Sequence, residues 1–243
     1  MNRRNFIVLA EMRTGGNMLA DSLDHHSHLS VLGEIFSNQP SPFHETQRQK
    51  LWAHLFPGPA STDWNMNFVP LLHEVFDRHD GLLLHRQWQI SQDNPTWAYL
   101  AGRTELKVIH LHRENVFQQY LSEQLALASG VWWLEPGTQR PAWKPLAIDV
   151  DQCLATMRER RAACAWSRAL FRAHPQIVVR YEDIAADVRR VLTYCQGFLE
   201  VPHEELPVNH RKLTNKRPSE LVTNLDEVRR RLKGTEFAQL SLE

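Results

Sequence analysis

The sequence predicts an α/β protein, a single-domain parallel sheet flanked by helices, and three observations predict it. A short apolar run, Phe6-Ile7-Val8-Leu9-Ala10, has no helical period and suits a strand buried on both faces. A glycine-bearing turn and a helical pattern follow it at once, and the same strand-then-helix order returns twice further along. The chain has 243 residues, 42% of them hydrophobic, with no repeat, low-complexity tract or break in composition. A chain of this size buries about 70–75% of its unfolded surface. One domain over residues 1–243 is therefore expected.

The elements follow in order. After the strand at 6–10, Met18-Leu19-Ala20-Asp21-Ser22-Leu23 places good helix formers with apolar positions at helical spacing. Helical patterns recur over 45–55 and 67–79, punctuated by Pro57 and Pro59, then a strand over 82–87 and a short helix over 96–101. Residues 106–112 read as another strand, and Asn115 as the N-cap of a helix running to about Ala128. Residues 130–145 hold Trp132, Trp133 and Trp143 among Gly and Pro, which reads as an ordered loop near a ligand. Asp151 begins a long helix that Pro175 terminates; a strand over 177–181 and a helix over 184–199 complete the third unit. A last helix is expected over 220–232. Ligands of such a sheet bind beyond the carboxyl ends of its strands, where Arg13, Arg113 and Tyr181 fall.

Composition removes several function classes. With 28 Lys+Arg against 28 Asp+Glu, no broad basic face is available for nucleic acid or anionic lipid, so any anion site is local. The apolar runs fall far short of the ~20 residues a spanning helix needs. The stretch after Arg3 and Arg4 is too short for a signal-peptide core, so a cytoplasmic protein is expected. Cys153, Cys164 and Cys195 are odd in number, lack CxxC spacing and fall in helix-like sequence, which marks them as reduced core thiols. No metal site is expected, and a homodimer is compatible with the sequence.

The segment Arg13-Thr14-Gly15-Gly16-Asn17-Met18 follows a buried strand and opens a helix, so backbone N–H groups and the helix dipole point at whatever the loop holds. Two glycines permit close backbone approach, Arg13 supplies a fork of donors, and Thr14 and Asn17 add side-chain bonds to the same oxygens. A phosphate fits. The loop is not GxxxxGK[ST], because Gly16 is followed by Asn17-Met18, without the lysine or the magnesium-binding hydroxyl. The plain alternative is a tight strand-to-helix connection with an exposed arginine.

Residues 6–23, with Arg13-Thr14-Gly15-Gly16-Asn17 at their centre, resemble the 5′-phosphosulfate loop of sulfotransferases that use 3′-phosphoadenosine-5′-phosphosulfate (PAPS). His110-Leu111-His112-Arg113-Glu114-Asn115 with Ser122 resembles that family's 3′-phosphate motif, an arginine at a strand end followed by a serine on the next helix. The separation of Arg113 and Ser122 is similar to that in the bacterial trehalose-type branch. If Asn115 caps the helix, then Asn115, Gln118 or Gln119, and Ser122 share one face. Arg180-Tyr181-Glu182-Asp183-Ile184 resembles the Tyr-Glu-Asp-Leu element, whose expected role here is to cap the next helix and hold the strand end. Val31-Leu32-Gly33-Glu34-Ile35-Phe36 resembles the Gly-Glu-aromatic element of the nodulation-factor and trehalose-type branch, where the glutamate is the proposed base.

The resemblance implies a P-loop-like sulfotransferase fold. It also implies in-line, metal-independent transfer of a sulfuryl group from PAPS to a hydroxyl of a small-molecule, carbohydrate or lipid acceptor. Glu34 and Arg13 are then catalytic, and Arg13, Thr14, Gly15, Gly16, Asn17, Met18, Arg113, Ser122 and Arg217 bind the donor. Glu34 draws attention on its own, as a carboxylate isolated in an apolar stretch; an exposed turn glutamate or an ion-pair partner is the other reading. His25, His26 and His28 follow the first helix and read as structural. His85 is a weaker candidate for contact with acceptor or donor, in a strand reading Gly81-Leu82-Leu83-Leu84 where the family often has a lysine. Trp132, Trp133 and Trp143, with Trp88, suit a carbohydrate or aromatic acceptor, or else core packing under a loop. Arg158–Arg161 and Arg229–Arg231 read as solvated helix faces. Two rivals remain at this stage: a P-loop-like small-molecule kinase, which would need the missing lysine and hydroxyl, and a non-catalytic nucleotide-binding protein, for which Glu34 would be idle.

Overall fold

β1 (Phe6–Ala10) is buried at every residue, as an apolar run of this kind requires when both faces of its sheet are covered. The computed structural model describes residues 5–34, 67–86, 92–134 and 137–242. The helix expected over 45–55, Trp88, and Ile35 and Phe36 beside Glu34 lie outside them. β1 is joined by β2 (Val31–Glu34), β3 (Gly81–His85), β4 (Lys107–His112) and β5 (Gln176–Arg180) in a five-stranded sheet of order β2-β3-β1-β4-β5. Every described pairing is parallel. The chain leaves β1 for β2 and β3 on one side and crosses to β4 and β5 on the other, so the topological switch point lies beside β1.

Contacts among the described residues divide the chain into two compact units: Met1–His112 with Ala163–Val208, and Arg113–Ala162 with Asn209–Glu243. In the first unit, alternate strand residues sort into two apolar layers, as the period of two demands. Ile7, Leu9, Leu82, Leu84 and Val108 pack with α2 (Val69–Arg78), α3 (Pro95–Gly102) and Phe171. Phe6, Val8, Ala10, Leu83, Ile109 and Leu111 pack with α1 (Gly16–Asp24) and with α7 (Val188–Leu199). The short α6 (Tyr181–Ala186) lies between β5 and α7 in the chain.

The second unit has its own core. Val116, Phe117, Tyr120 and Leu121 of α4 (Val116–Ser129) meet Cys153, Leu154 and Met157 of α5 (Val150–Leu170). Leu221 of α8 (Pro218–Leu221) and Val228 of α9 (Leu225–Leu232) complete it with Phe237. Asn115 caps α4 as expected, its Oδ1 accepting from Gln118 N at 3.0 Å. Cys153 and Cys195 are buried free thiols, and burial pushes each up to about 12. No helix of the described residues is long and apolar enough to cross a membrane.

Three expectations need correction, and one strand was not visible in the sequence. The helix expected over 184–199 is two, α6 and α7, broken at Asp187, whose extended φ of −155° cannot continue a helix and whose Oδ1 instead caps α7 through Arg190 N at 3.0 Å. The last helix is also split, into α8 and α9, by extended backbone at Val222. β2, a four-residue strand carrying a glycine, has no period long enough to be seen in the sequence. Arg160 does not belong to a solvated face: its side chain is buried and paired with the buried Glu123 of α4.

His110 on β4 is fully buried, opposite Leu9 and edge-on to the Phe171 ring. Burial, with the nearby Arg86 and Arg168 guanidinium groups, holds its pKa at about 3 against an ordinary 6.5. Between those values the unfolded chain carries the extra proton. The stability contributed by neutral His110 is thus complete above ~6.5 and is lost progressively as pH falls towards ~3. Replacing it, His110→Leu, is expected to flatten urea-unfolding stability between pH ~6.5 and ~4, by up to about 1.4 kcal/mol for each pH unit. An unaltered slope would mean that His110 does not stay neutral in the folded protein.

Candidate active site

Residues 11–15 carry the chain from β1 into α1, and the turn is held from within. Thr14 is buried and its Oγ1 donates to the Glu11 carbonyl at 2.6 Å. Arg13 and Gly15 have φ of 64° and 91°, in the left-handed region that costs a residue with a Cβ roughly 1–2 kcal/mol. Glycine meets that demand at position 15; Arg13 bears it. Gly15 is also the N-cap of α1 and offers no side chain to cap it, so the first-turn N–H groups and the positive end of the helix are available to an anion. Gly16 is tightly packed: a Cβ there would lie 3.0 Å from Leu83 Cδ1, 3.2 Å from Ala10 Cβ and 3.4 Å from His85 Nε2.

Tyr181 packs against this loop, its Cδ2 being 3.6 Å from where a Gly15 Cβ would stand. Arg180, not the Tyr-Glu-Asp segment, is the N-cap of α6, and it makes no side-chain cap bond. Asp183 instead accepts two bonds from Arg180, from Nε at 2.7 Å and from Nη2 at 2.9 Å. The strand end is held as expected, and the capping expectation is corrected.

Glu34 ends β2, and an irregularity in that strand decides which layer it joins. Val31 pairs with Gly81 and Leu32 with Leu82, but Glu34 pairs with Leu83, leaving Gly33 as an extra residue. Such a bulge re-aims the next side chain. In regular register Glu34 would sit opposite Leu84, in the α2 layer; with the bulge it shares a face with Leu83 and His85, in the α1 layer. There Asn17, in the first turn of α1, donates from Nδ2 to Glu34 Oε1 at 3.3 Å. His85 Nδ1 lies 2.9 Å from the same oxygen. The two side chains are 17% and 14% exposed, enclosed yet reachable by a small molecule. The ends of β1, β2 and β3 thus bring the glycine-bearing loop, a carboxylate and an imidazole together.

Sequence reasoning missed Arg86, just past β3. Its fully buried guanidinium donates from Nη2 to the carbonyls of Leu9 at 2.6 Å and Leu111 at 3.0 Å, and from Nη1 to Glu11 at 3.3 Å. Burial pulls its pKa down, and the Glu11 carboxylate opposes that pull. Nothing local in the sequence marks it, because its partners are set by register.

The other residues named from sequence are distributed as follows. The Met18 side chain is buried, with Ser22 Oγ 3.7 Å from its sulfur, so only its backbone faces the loop chemistry. Arg113, Ser122 and Arg217 belong to the second unit. Arg113 donates from Nη2 to Gln118 Oε1 at 2.8 Å, on the helical face that leads to Ser122. Arg217 is exposed and its N–H is accepted by Glu220 Oε2 at 2.8 Å. His25 and His26 make backbone contacts, with Asp21 O and Pro202 O, each at 2.8 Å, in keeping with a structural role. Trp132 and Trp143 pack on Ala126, Leu134 and Leu213. Among the described residues no group of three or more His, Cys, Asp or Glu is placed to hold a metal ion.

No protein-family model matches the sequence, and no curated protein matches it. Solved structures with a similar chain path include three sulfotransferases. One, from Alicyclobacillus acidocaldarius, is 15% identical, covers 96% of each chain and has a TM-score of 0.49. The sulfotransferase domain of the curacin biosynthetic pathway is 16% identical over 82% of this chain and 75% of that one, with a TM-score of 0.42. The sulfotransferase domain of the Synechococcus PCC 7002 olefin synthase is 14% identical over 84% and 77%, at 0.35. Likeness at this level carries no chemistry to the present chain.

The packing around Gly16 makes a stability prediction. Gly16→Ala is expected to cost about 1–3 kcal/mol through overpacking, a fall of roughly 2–4 °C in Tm for each kcal/mol. Gly197, exposed in α7 with nothing within 4 Å of its would-be Cβ, is the control: Gly197→Ala is expected to raise Tm, by about 0.5–1 kcal/mol of stability. Equal shifts in scanning calorimetry would contradict the close contact at Gly16.

Proposed function

We propose that this chain is a PAPS-dependent sulfotransferase that moves a sulfuryl group to a hydroxyl of a small-molecule, carbohydrate or lipid acceptor. The observation that carries the proposal is the bond from Asn17 to Glu34, which ties the carboxylate to the very helix that opens from the anion loop. Donor-binding and proton-accepting chemistry thereby stand side by side at the strand ends, where an α/β sheet binds its ligands. The motif resemblance of residues 13–17 names the anion as a phosphosulfate.

PAPS, when bound, supplies the sulfuryl group and a phosphate leaving group. The acceptor oxygen forms a bond to sulfur while the bond from sulfur to the bridging phosphate oxygen breaks, and the electron pair leaves on the phosphate. Arg13 and the first-turn N–H groups of α1 bind the anion where that charge grows. Glu34 takes the proton of the acceptor hydroxyl as the new bond forms. Positioning and electrostatics carry such a loose, in-line transfer, and the loop lacks the lysine and hydroxyl of a magnesium–nucleotide loop. Arg113 and Ser122, with Arg217, are proposed for the 3′-phosphate on their chemistry and motif alone. A cytosolic setting, read from free Cys153, Cys164 and Cys195, belongs to the same proposal.

The test is titration calorimetry with adenosine 3′,5′-bisphosphate, followed by transfer of label from PAPS to a panel of sugars, lipids and phenols. Binding and label transfer are expected. Arg13→Ala should lower turnover by roughly 10²–10³. Glu34→Gln should keep bisphosphate affinity and lose about 10²–10⁴ in turnover. Near-normal turnover by Glu34→Gln removes the base role; no binding of the bisphosphate removes the donor; binding without transfer to any acceptor favours a non-catalytic nucleotide-binding protein.

A further inference from the structure

His85 is tied into this site more firmly than its place at the end of an apolar strand explains. Its Nδ1 stands 2.9 Å from Glu34 Oε1, and because an ionised carboxylate only accepts, Nδ1 carries the hydrogen. In the neutral ring the lone pair is then on Nε2. That edge of the ring is wedged against the anion loop, with Nε2 3.4 Å from the point where a Gly16 Cβ would be. The register sets the ring there, since His85 pairs with Ala10, the last residue of β1 before the loop. The imidazole therefore spans the gap between the start of α1 and the end of β2.

We propose that His85 is a positioning residue, a rigid spacer whose Nδ1–H holds the Glu34 carboxylate at a set distance from the anion loop. The inference rests on Glu34 being the base. Asn17 Nδ2, at 3.3 Å, donates to the same Oε1 as His85. Two donors from different elements, one on α1 and one on β3, restrain the carboxylate from two sides. A displacement of about 1 Å between reacting groups costs on the order of 10²-fold in rate. Holding the carboxylate is thus worth as much to the reaction as a direct contact with the reacting atoms.

The experiment uses three variants and one spectrum. His85→Phe keeps the ring and loses the donor; His85→Asn offers an amide N–H close to the Nδ1 position; His85→Gln offers one at the Nε2 position. Turnover is read as conversion of PAPS to adenosine 3′,5′-bisphosphate with water as acceptor, and affinity as the calorimetric Kd of the bisphosphate. His85→Phe and His85→Gln are expected to lose roughly 10–10²-fold in turnover with Kd unchanged, and His85→Asn to regain most of the loss. Ring-nitrogen NMR of the unliganded protein at mildly alkaline pH should show a protonated Nδ1 and a bare Nε2, a preference that disappears in Glu34→Ala. Full turnover by His85→Phe, no recovery in His85→Asn, or a ring protonated at Nε2 overturns the spacer role while the Glu34 base stands. Near-normal turnover by Glu34→Gln overturns the base, and the spacer role with it.

Discussion

The buried guanidinium of Arg86 is the interaction on which the site depends. It reaches carbonyls near the ends of two neighbouring strands, Leu9 of β1 and Leu111 of β4, and the side chain of Glu11 at the stem of the loop that leads into α1. Its own N–H donates to Ala10 O at 3.0 Å, extending β3 along β1 by one more residue. Burying one unpaired charge is costly, while a charge with a carboxylate and two carbonyls around it is tolerated. The same low dielectric that makes an orphaned group expensive makes this set rigid. The switch point beside β1, where parallel sheets splay and open a crevice, is thereby held closed from beneath, and the loop above it starts from a fixed stem.

Above that brace, one extra residue decides the chemistry. The two faces of the sheet belong to different layers, and the α2 layer is mainly apolar around Ile7, Leu9, Leu82 and Leu84. The bulge at Gly33 moves Glu34 to the α1 layer, among polar groups that accept it. β2 is an edge strand in the described sheet, and an edge tolerates a bulge at little cost because only one ladder is disturbed.

What the sequence made legible was local. β1, the glycine-bearing turn and α1 are contiguous, so an apolar run, two glycines and a helical period were enough to read the strand-turn-helix order. Asn115 capped its helix where it stood in the pattern. Glu34 could be singled out by its isolation, although its strand could not, because four residues around a glycine carry no period. Pairings across long stretches of chain were out of reach. Arg86 and Glu11 are 75 residues apart and Arg160 and Glu123 are 37 apart, and neither arginine differs locally from a surface one. His85 was noticed only weakly for the same reason: its value comes from the register of β3 against β1 and from a carboxylate on another strand.

Electrostatics explains why the carboxylate needs two donors. The chain is neutral overall, with 28 basic and 28 acidic residues, so attraction for an anion has to come from Arg13 and the amino end of α1. Under the proposed function, a carboxylate beside a loop that binds a multiply charged donor is repelled when that donor arrives. On that reading, hydrogen bonds from His85 and Asn17 hold it against the repulsion. The apolar strand Gly81-Leu82-Leu83-Leu84 thus ends in an imidazole that restrains the carboxylate from β3, while the Asn17 amide restrains it from α1, so the position of Glu34 is set by two separate elements of the fold.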